Sequence, residues 1–166
     1  KDMEVLEIGS YYGILGSVLK EKVKNYSGLE LSTHGSNYAR NNFKLNIYNE
    51  TIENHLKKNI KYDLIIMADV MEHFSDPYKV LSQINKLLKQ NGKLILTTFN
   101  IDSLYARFTG KNYHWIIPFH MVYFSNKTLE IFGKNNNLKL VKIINDPRYT
   151  SFGYLIEKLN LIFPRL

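Results

Sequence analysis

Apolar and polar positions follow one another along this chain in a repeating order: a short continuous apolar run, a turn, an amphipathic stretch, then the next apolar run. Residues 3–8 (MEVLEI) read as a buried strand leading through glycines into a helix over 13–24. Residues 26–31 (YSGLEL) read as a second strand, followed by a helix over 36–43. A short third strand is expected at 45–48 (LNIY), and a polar, weakly periodic stretch then runs to Lys61. The clearest strand is YDLIIMAD, 62–69, apolar nearly throughout, as strands of parallel sheets are when both faces are buried. Ser75 or Asp76 can cap the next helix, with Pro77 in its first turn and Val80, Leu81, Ile84, Leu87 and Leu88 as its apolar stripe. That helix is expected to end at Asn91-Gly92, ahead of a fifth strand over 93–100 (KLILTTFN). Residues 101–124 break the rhythm, being rich in aromatics with no clean period, before a helix over 125–135 and a strand over 138–144 restore it. The apolar tail, 154–166, reads as a short helix or a truncated connection. The alternation implies an α/β fold: a doubly wound, mostly parallel sheet with right-handed crossovers.

Composition narrows this picture. A chain of 166 residues fits one domain, with 101–124 as an insertion. No apolar run approaches the roughly 18 residues of a membrane span, and nothing resembles a cleaved signal segment. The first strand begins almost at residue 1, so a segment upstream is expected. The absence of cysteine excludes disulfides, thiolate metal sites and cysteine nucleophiles, and fits a cytoplasmic location. The net charge of +7 raises the question of nucleic acid or an anionic surface. Yet the lysines (Lys20, Lys22, Lys24, Lys57, Lys58, Lys61, Lys86, Lys89) are dispersed where helices would face solvent, and solvated faces are the simpler reading.

Candidate chemistry begins at the first turn. Open α/β sheets bind ligands at the carboxyl ends of their strands, where Gly9 would allow a tight turn and Gly13 would open the helix. Amides at such a helix start favour a negative group. Glu30, at the end of the second strand and roughly twenty residues beyond Gly9, can accept both hydroxyls of a ribose. Together they point to a nucleoside-containing cofactor. Tyr11 and Tyr12 crowd the loop against a pyrophosphate, so a dinucleotide such as NAD is disfavoured over a cofactor carrying a small amino-acid group.

With strands one, two and four in place, the chain resembles the class I S-adenosylmethionine-dependent methyltransferases, in the small-molecule branch that includes the ubiquinone-biosynthesis-type enzymes. VLEIGSYYG looks like that family's first motif, matched by Glu7, Gly9 and Gly13, with Tyr11 where the middle glycine stands. GLEL supplies Glu30, and residues 62–100 resemble the family's fourth strand, following loop, helix and fifth strand nearly throughout. The similarity covers about residues 3–145. A leading helical segment and a last antiparallel strand, usual in the family, are not matched here.

The resemblance implies S-adenosylmethionine as cofactor and S-adenosylhomocysteine as product. It implies that Gly9, Ser10 and Gly13 line the methionine part, that Glu7 fixes the loop, and that Glu30 binds ribose with Leu31 beside the adenine. Thr51 and Ile52 are further adenine candidates, and Ala68 and Asp69 end the fourth strand against the cofactor. Tyr11 could place a ring near the sulfonium, a cation–π contact. Asp69 either meets the cofactor's ammonium or stabilises its loop.

Methyl transfer to a hydroxyl calls for a base near neutral pKa, which suits histidine. Of five histidines, His34 and His55 lie in polar stretches and read as surface. His73, after the fourth strand, is a candidate base, the alternative being a cap on the helix at Ser75-Asp76. His120, in the aromatic insertion, is the second candidate, the alternative being a packed structural histidine. His114 and Trp115 read as lid packing. The aromatics of 101–124 could form an acceptor pocket or simply a core. No histidine pair has metal-site spacing, so no metal is expected. The expected reaction is methyl transfer to a small-molecule acceptor, more readily at oxygen, such as a sugar, quinone-like or secondary-metabolite precursor. Rival readings are a degenerate binding or partner domain, a nucleic-acid methyltransferase, and a short-chain dehydrogenase. The nucleic-acid reading wants an Asn/Asp-Pro-Pro-aromatic motif that ADVMEH is not; the dehydrogenase rests on Tyr123-x-x-x-Lys127, a spacing that chance supplies here.

Overall fold

The structure, a computed structural model, describes residues 2–144, and the tail over 154–166 lies outside them. The chain divides into two compact units, residues 1–98 and the part from residue 99 onward.

The first unit runs β1 (Glu4–Ile8), α1 (Ile14–Leu19), β2 (Asn25–Leu29), α2 (Thr33–Phe43), β3 (Asn46–Tyr48), α3 (Ile52–Leu56), β4 (Tyr62–Ala68), a 3₁₀ turn (Met71–His73), α4 (Pro77–Leu87) and β5 (Leu88–Thr97). The strands lie in the order β3-β2-β1-β4-β5 and every neighbouring pair is parallel. This is the doubly wound sheet that the alternation implies, with no antiparallel strand among the described residues. Strand order reverses between β1 and β4, so right-handed crossovers put α1 and α2 on one face and α3 and α4 on the other.

The period of two sorts the strand residues between these faces. Val5, Tyr26, Ile47 and Ile66 bury with Ala39 of α2, against Leu19 and Val23. Leu6, Ile65 and Met67 alternate with them and are fully buried on the opposite face. Caps set the helix starts. Ser32 accepts from the Gly35 amide at 3.1 Å, so α2 begins at Thr33, three positions earlier than its apolar pattern indicates. Asp76 accepts from the Lys79 amide at 3.0 Å and Pro77 follows, as expected for α4.

Further boundaries differ from expectation. The first helix stops at Leu19 rather than near Lys24, because the chain must turn back in time for Lys24 to donate to the Met3 carbonyl beside β1. Asn91-Gly92 does not end α4; the helix ends at Leu87, and Leu88 already pairs with Tyr62. Asn91, left-handed at φ 65°, and Gly92 instead form an irregularity inside β5, where a Cβ on Gly92 would come 3.0 Å from the Tyr62 and Lys89 carbonyls.

The second unit contains α5 (Leu104–Thr109), a 3₁₀ turn (Gly110–Asn112) and α6 (Asn126–Asn135). Ser125 and Thr128 form a reciprocal capping box at the start of α6. The strand expected at 138–144 is not formed. Alternating apolar residues do not make a strand without a neighbour to take its amide bonds, and Val141 stands 87% exposed.

Candidate cofactor-binding site

The turn after β1 is built by backbone geometry that few residues tolerate. Gly9 and Gly13 sit at φ 76° and 75°, in the left-handed region. Space demands glycine as well, since a Cβ would lie 2.5 Å from a Val70 methyl at position 9 and 2.6 Å from Leu45 at position 13. Between them Tyr11 is also left-handed, at φ 44°, which costs a non-glycine residue about 1 kcal/mol. Glu30 holds it there: one carboxylate oxygen accepts the Tyr11 amide at 2.7 Å, and the other accepts the Ser32 amide at 2.6 Å. Each oxygen keeps a further lone pair.

Three more of the loop's amides are engaged internally. Gly9 and Ser10 both donate to the Leu29 carbonyl, at 2.8 and 3.1 Å, and Gly13 donates to Ser10 at 2.7 Å. A pyrophosphate needs outward-pointing amides, and these three are turned to partners within the chain.

A cavity of about 470 Å³ opens beside the loop, bounded by Glu7, Gly9, Ser10, Tyr11 and Tyr12 and by the outer face of α1. Two of its polar groups are buried. Ser10 Oγ has no hydrogen-bond partner among the described residues; it occupies room left by Gly28, whose added Cβ would lie 2.6 Å from it. Such a hydroxyl is costly unless something in the cavity satisfies it. Glu7, 5% exposed, accepts a hydrogen bond from the Tyr26 hydroxyl. Burial pushes its carboxyl up to about 7, against the pull of the Tyr26 hydrogen bond and with a smaller push from the Glu30 charge.

The remaining expected residues are distributed less tightly. Leu31 is exposed beyond Glu30, on a turn held by Asn49, which donates to the Glu30 and Leu31 carbonyls at 2.7 and 2.9 Å. Thr51 caps α3 through the Asn54 amide and Ile52 is buried; neither they nor Leu31, Ala68 and Asp69 line the cavity. Asp69 is tied to β5, its amide and carboxylate both meeting Thr97 Oγ1 at 3.1 and 2.9 Å, which gives it a loop-stabilising bond. His73 is exposed on the 3₁₀ turn after β4, and the cap suggested for it is provided by Asp76.

In the second unit His120 is buried, with Nδ1 2.9 Å from the Trp115 carbonyl. A carbonyl only accepts, so Nδ1 carries the proton and Nε2 is the basic nitrogen. Phe99 stacks on Trp115 at 4.1 Å, and the Tyr105 hydroxyl meets His114 at 3.0 Å. The Tyr123 hydroxyl faces the Ile117 backbone, accepting its amide at 3.3 Å, an arrangement unlike a catalytic tyrosine beside Lys127.

One histidine corrects the sequence reading. His34 is exposed as expected, but His55 is wholly buried, donating from Nδ1 to Glu50 at 2.8 Å and accepting at Nε2 from the Tyr62 hydroxyl at 2.7 Å. Two partners outside α3, Glu50 ahead of it and Tyr62 on β4, make that burial possible. Sequence reasoning also passed over Tyr26. Its signal is Gly16, a glycine inside α1 whose added Cβ would lie 2.5 Å from the Tyr26 ring edge and hydroxyl.

Comparison with known proteins adds to this geometry. A family described as a methyltransferase domain matches residues 1–143. The chain is 29% identical over 105 residues to the ubiquinone biosynthesis O-methyltransferase of Yersinia enterocolitica, covering 60% of this chain and 43% of that protein. The corresponding Vibrio atlanticus protein is 29% identical over 103 residues, covering 58% and 44%. The chain thus spans less than half the length of these curated relatives. Among solved structures, an S-adenosylmethionine-dependent methyltransferase from Clostridium acetobutylicum is 28% identical, with a TM-score of 0.50 over 55% of this chain and 41% of that one. The fold also matches magnesium protoporphyrin IX methyltransferase from Synechocystis, solved with bound S-adenosylhomocysteine, at TM-score 0.67 and 16% identity over 85% of this chain and 66% of that one.

Proposed function

The chain belongs to the methyltransferase-domain family, and on that premise we propose that it binds S-adenosylmethionine at the β1–α1 loop and methylates a hydroxyl oxygen of a small molecule. The observation that carries this reading is the Glu30 clamp beside a cavity with buried polar groups. Glu30 is already oriented by two backbone amides and keeps lone pairs for the hydroxyls of a ribose. Glu7 and the unpartnered Ser10 hydroxyl fit the polar end of an amino-acid arm. The O-methyltransferase relatives support oxygen as the acceptor atom.

When bound, S-adenosylmethionine supplies a methyl carbon already activated by a sulfonium. The chain's own part is alignment, exclusion of water and acceptance of one proton. Glu30 holds the nucleoside, and Glu7 and Ser10 hold the charged arm. A histidine accepts the acceptor's hydroxyl proton as its oxygen takes the methyl. The exposed ring of His73 and the Nε2 of His120 are the two candidates for that base. An acceptor with a sugar, quinone-like or other hydroxylated skeleton suits this chemistry.

Calorimetric titration with S-adenosylmethionine, S-adenosylhomocysteine and NAD tests the reading. Micromolar binding of the first two, none of NAD, and loss of binding in Glu30→Ala are expected. A screen of hydroxylated small molecules for S-adenosylhomocysteine release then identifies the acceptor. Absence of binding to all three ligands would sink the proposal.

A further inference from the structure

Glu7 lies on β1, Tyr26 on β2 and Gly16 on α1, and the three are fitted to one another. Glu7 and Tyr26 share the sheet face under α1, because Val5 is level with Tyr26 and Glu7 with Gly28 in the parallel register. The Tyr26 ring passes beneath Gly16, where any side chain would collide with it, and delivers its hydroxyl to Glu7 Oε2. The other Glu7 oxygen has no protein hydrogen bond among the described residues, and Glu7 lines the cavity. A glycine within a helix costs up to about 1 kcal/mol relative to alanine, so this passage is kept against local propensity.

We propose that Tyr26 is a positioning residue for cofactor binding: its hydroxyl holds the Glu7 carboxylate turned toward the cavity and in its charged form, ready to meet the ammonium of the cofactor's amino-acid arm. The inference rests on S-adenosylmethionine being the ligand of this loop. Burial opposes charge on Glu7, and the Tyr26 hydrogen bond opposes that effect. The groups around Glu7 leave Tyr26 as its hydrogen-bonding partner. Glu30, at the end of β2, repels its charge; α1 (ILGSVL) carries no titratable side chain; β4 has its titratable residues, Tyr62 and Asp63, at the far end. Tyr11 and Tyr12 face the cavity from the loop. Removing the hydroxyl therefore raises the pH at which Glu7 ionises.

The test is calorimetric titration with S-adenosylhomocysteine, and separately with adenosine, from pH 5.5 to 8.5. Wild type, Tyr26→Phe and Glu7→Gln are compared, with folding checked by circular dichroism. Adenosine lacks the amino-acid arm. In the wild type, S-adenosylhomocysteine affinity is expected to rise with pH through about 7. In Tyr26→Phe that rise moves to higher pH, affinity at pH 7 falls about fivefold for a shift of one pKa unit, approaching tenfold only at lower pH, and the gap narrows at pH 8.5. Adenosine binding stays the same in both. Glu7→Gln binds S-adenosylhomocysteine weakly with no rise through this range, and it carries the test alone should Tyr26→Phe not fold. An unshifted pH profile in Tyr26→Phe, an equal loss of adenosine binding, or a preserved rise in Glu7→Gln would overturn the inference while leaving the cofactor in place. Failure of the wild type to bind either ligand would overturn the functional reading and this inference with it.

Discussion

Tyr11 occupies a conformation that glycine takes without cost, and its ring lies 4.0 Å from that of Tyr12, more than half exposed beside the cavity. The Glu30 hydrogen bond offsets the strain of that backbone, so the residue can be kept for its ring. If the ring faces the sulfonium, Tyr11→Ala should weaken S-adenosylmethionine binding about threefold, the roughly 0.5–1 kcal/mol of an exposed cation–π contact. Binding of S-adenosylhomocysteine, which has no sulfonium charge, should change less. Equal effects on the two ligands in calorimetry would leave Tyr11 as a spacer in the loop.

At the scale of elements, α3 is joined to the sheet by a polar contact inside an apolar layer. The imidazole of His55 on this short helix connects Glu50, ahead of α3, with Tyr62 at the start of β4, and its ring lies 4.8 Å from that of Tyr48 on β3. Helices of five residues have little stability of their own, so such anchoring decides whether α3 forms. His55→Ala leaves a cavity, removes a hydrogen bond from the buried Tyr62 hydroxyl and leaves Glu50 with Lys58 in place of two partners. A loss of about 3 kcal/mol is expected in urea denaturation. A loss under 1 kcal/mol would mean that water replaces the ring. Element boundaries were legible where the signal is local. Asp76-Pro77 marks α4 in the sequence because a cap and a proline act within one turn. Asn91-Gly92 looks like a helix stop for the same local reasons, yet it sits within β5 because Leu88 finds Tyr62 across the sheet.

Over the whole molecule, Glu7 couples folding to pH. Its carboxyl is raised from an ordinary 4.5 to about 7 in the folded protein, chiefly by burial. Between those values the folded protein holds a proton that the unfolded chain has released, so stability falls as pH rises through this window and levels off above it. The size is on the order of 3 kcal/mol. Glu7→Gln cannot titrate, so its stability relative to wild type should grow by that order between pH 4.5 and 7.5, measured by urea denaturation at each pH. A constant difference would show Glu7 charged in the folded state throughout.

The sequence by itself determined the α/β alternation and the parallel sheet, and it pointed to the strand ends that the proposed site uses. Continuous apolar runs mark strands buried on both faces, and Gly9, Gly13 and Glu30 have meanings that follow from backbone freedom and charge at strand ends. Tertiary structure alone decided which polar groups meet. The apolar pattern at 138–144 asks for a strand, but hydrogen bonds need a neighbour that no local pattern supplies. His55 reads as surface in its polar stretch until Glu50 and Tyr62 satisfy both its nitrogens. Tyr26 reads as an ordinary strand aromatic until Gly16 lets it pass to Glu7. Burial of a polar group depends on a partner brought by another element, and that pairing is a property of the packed fold rather than of the local sequence.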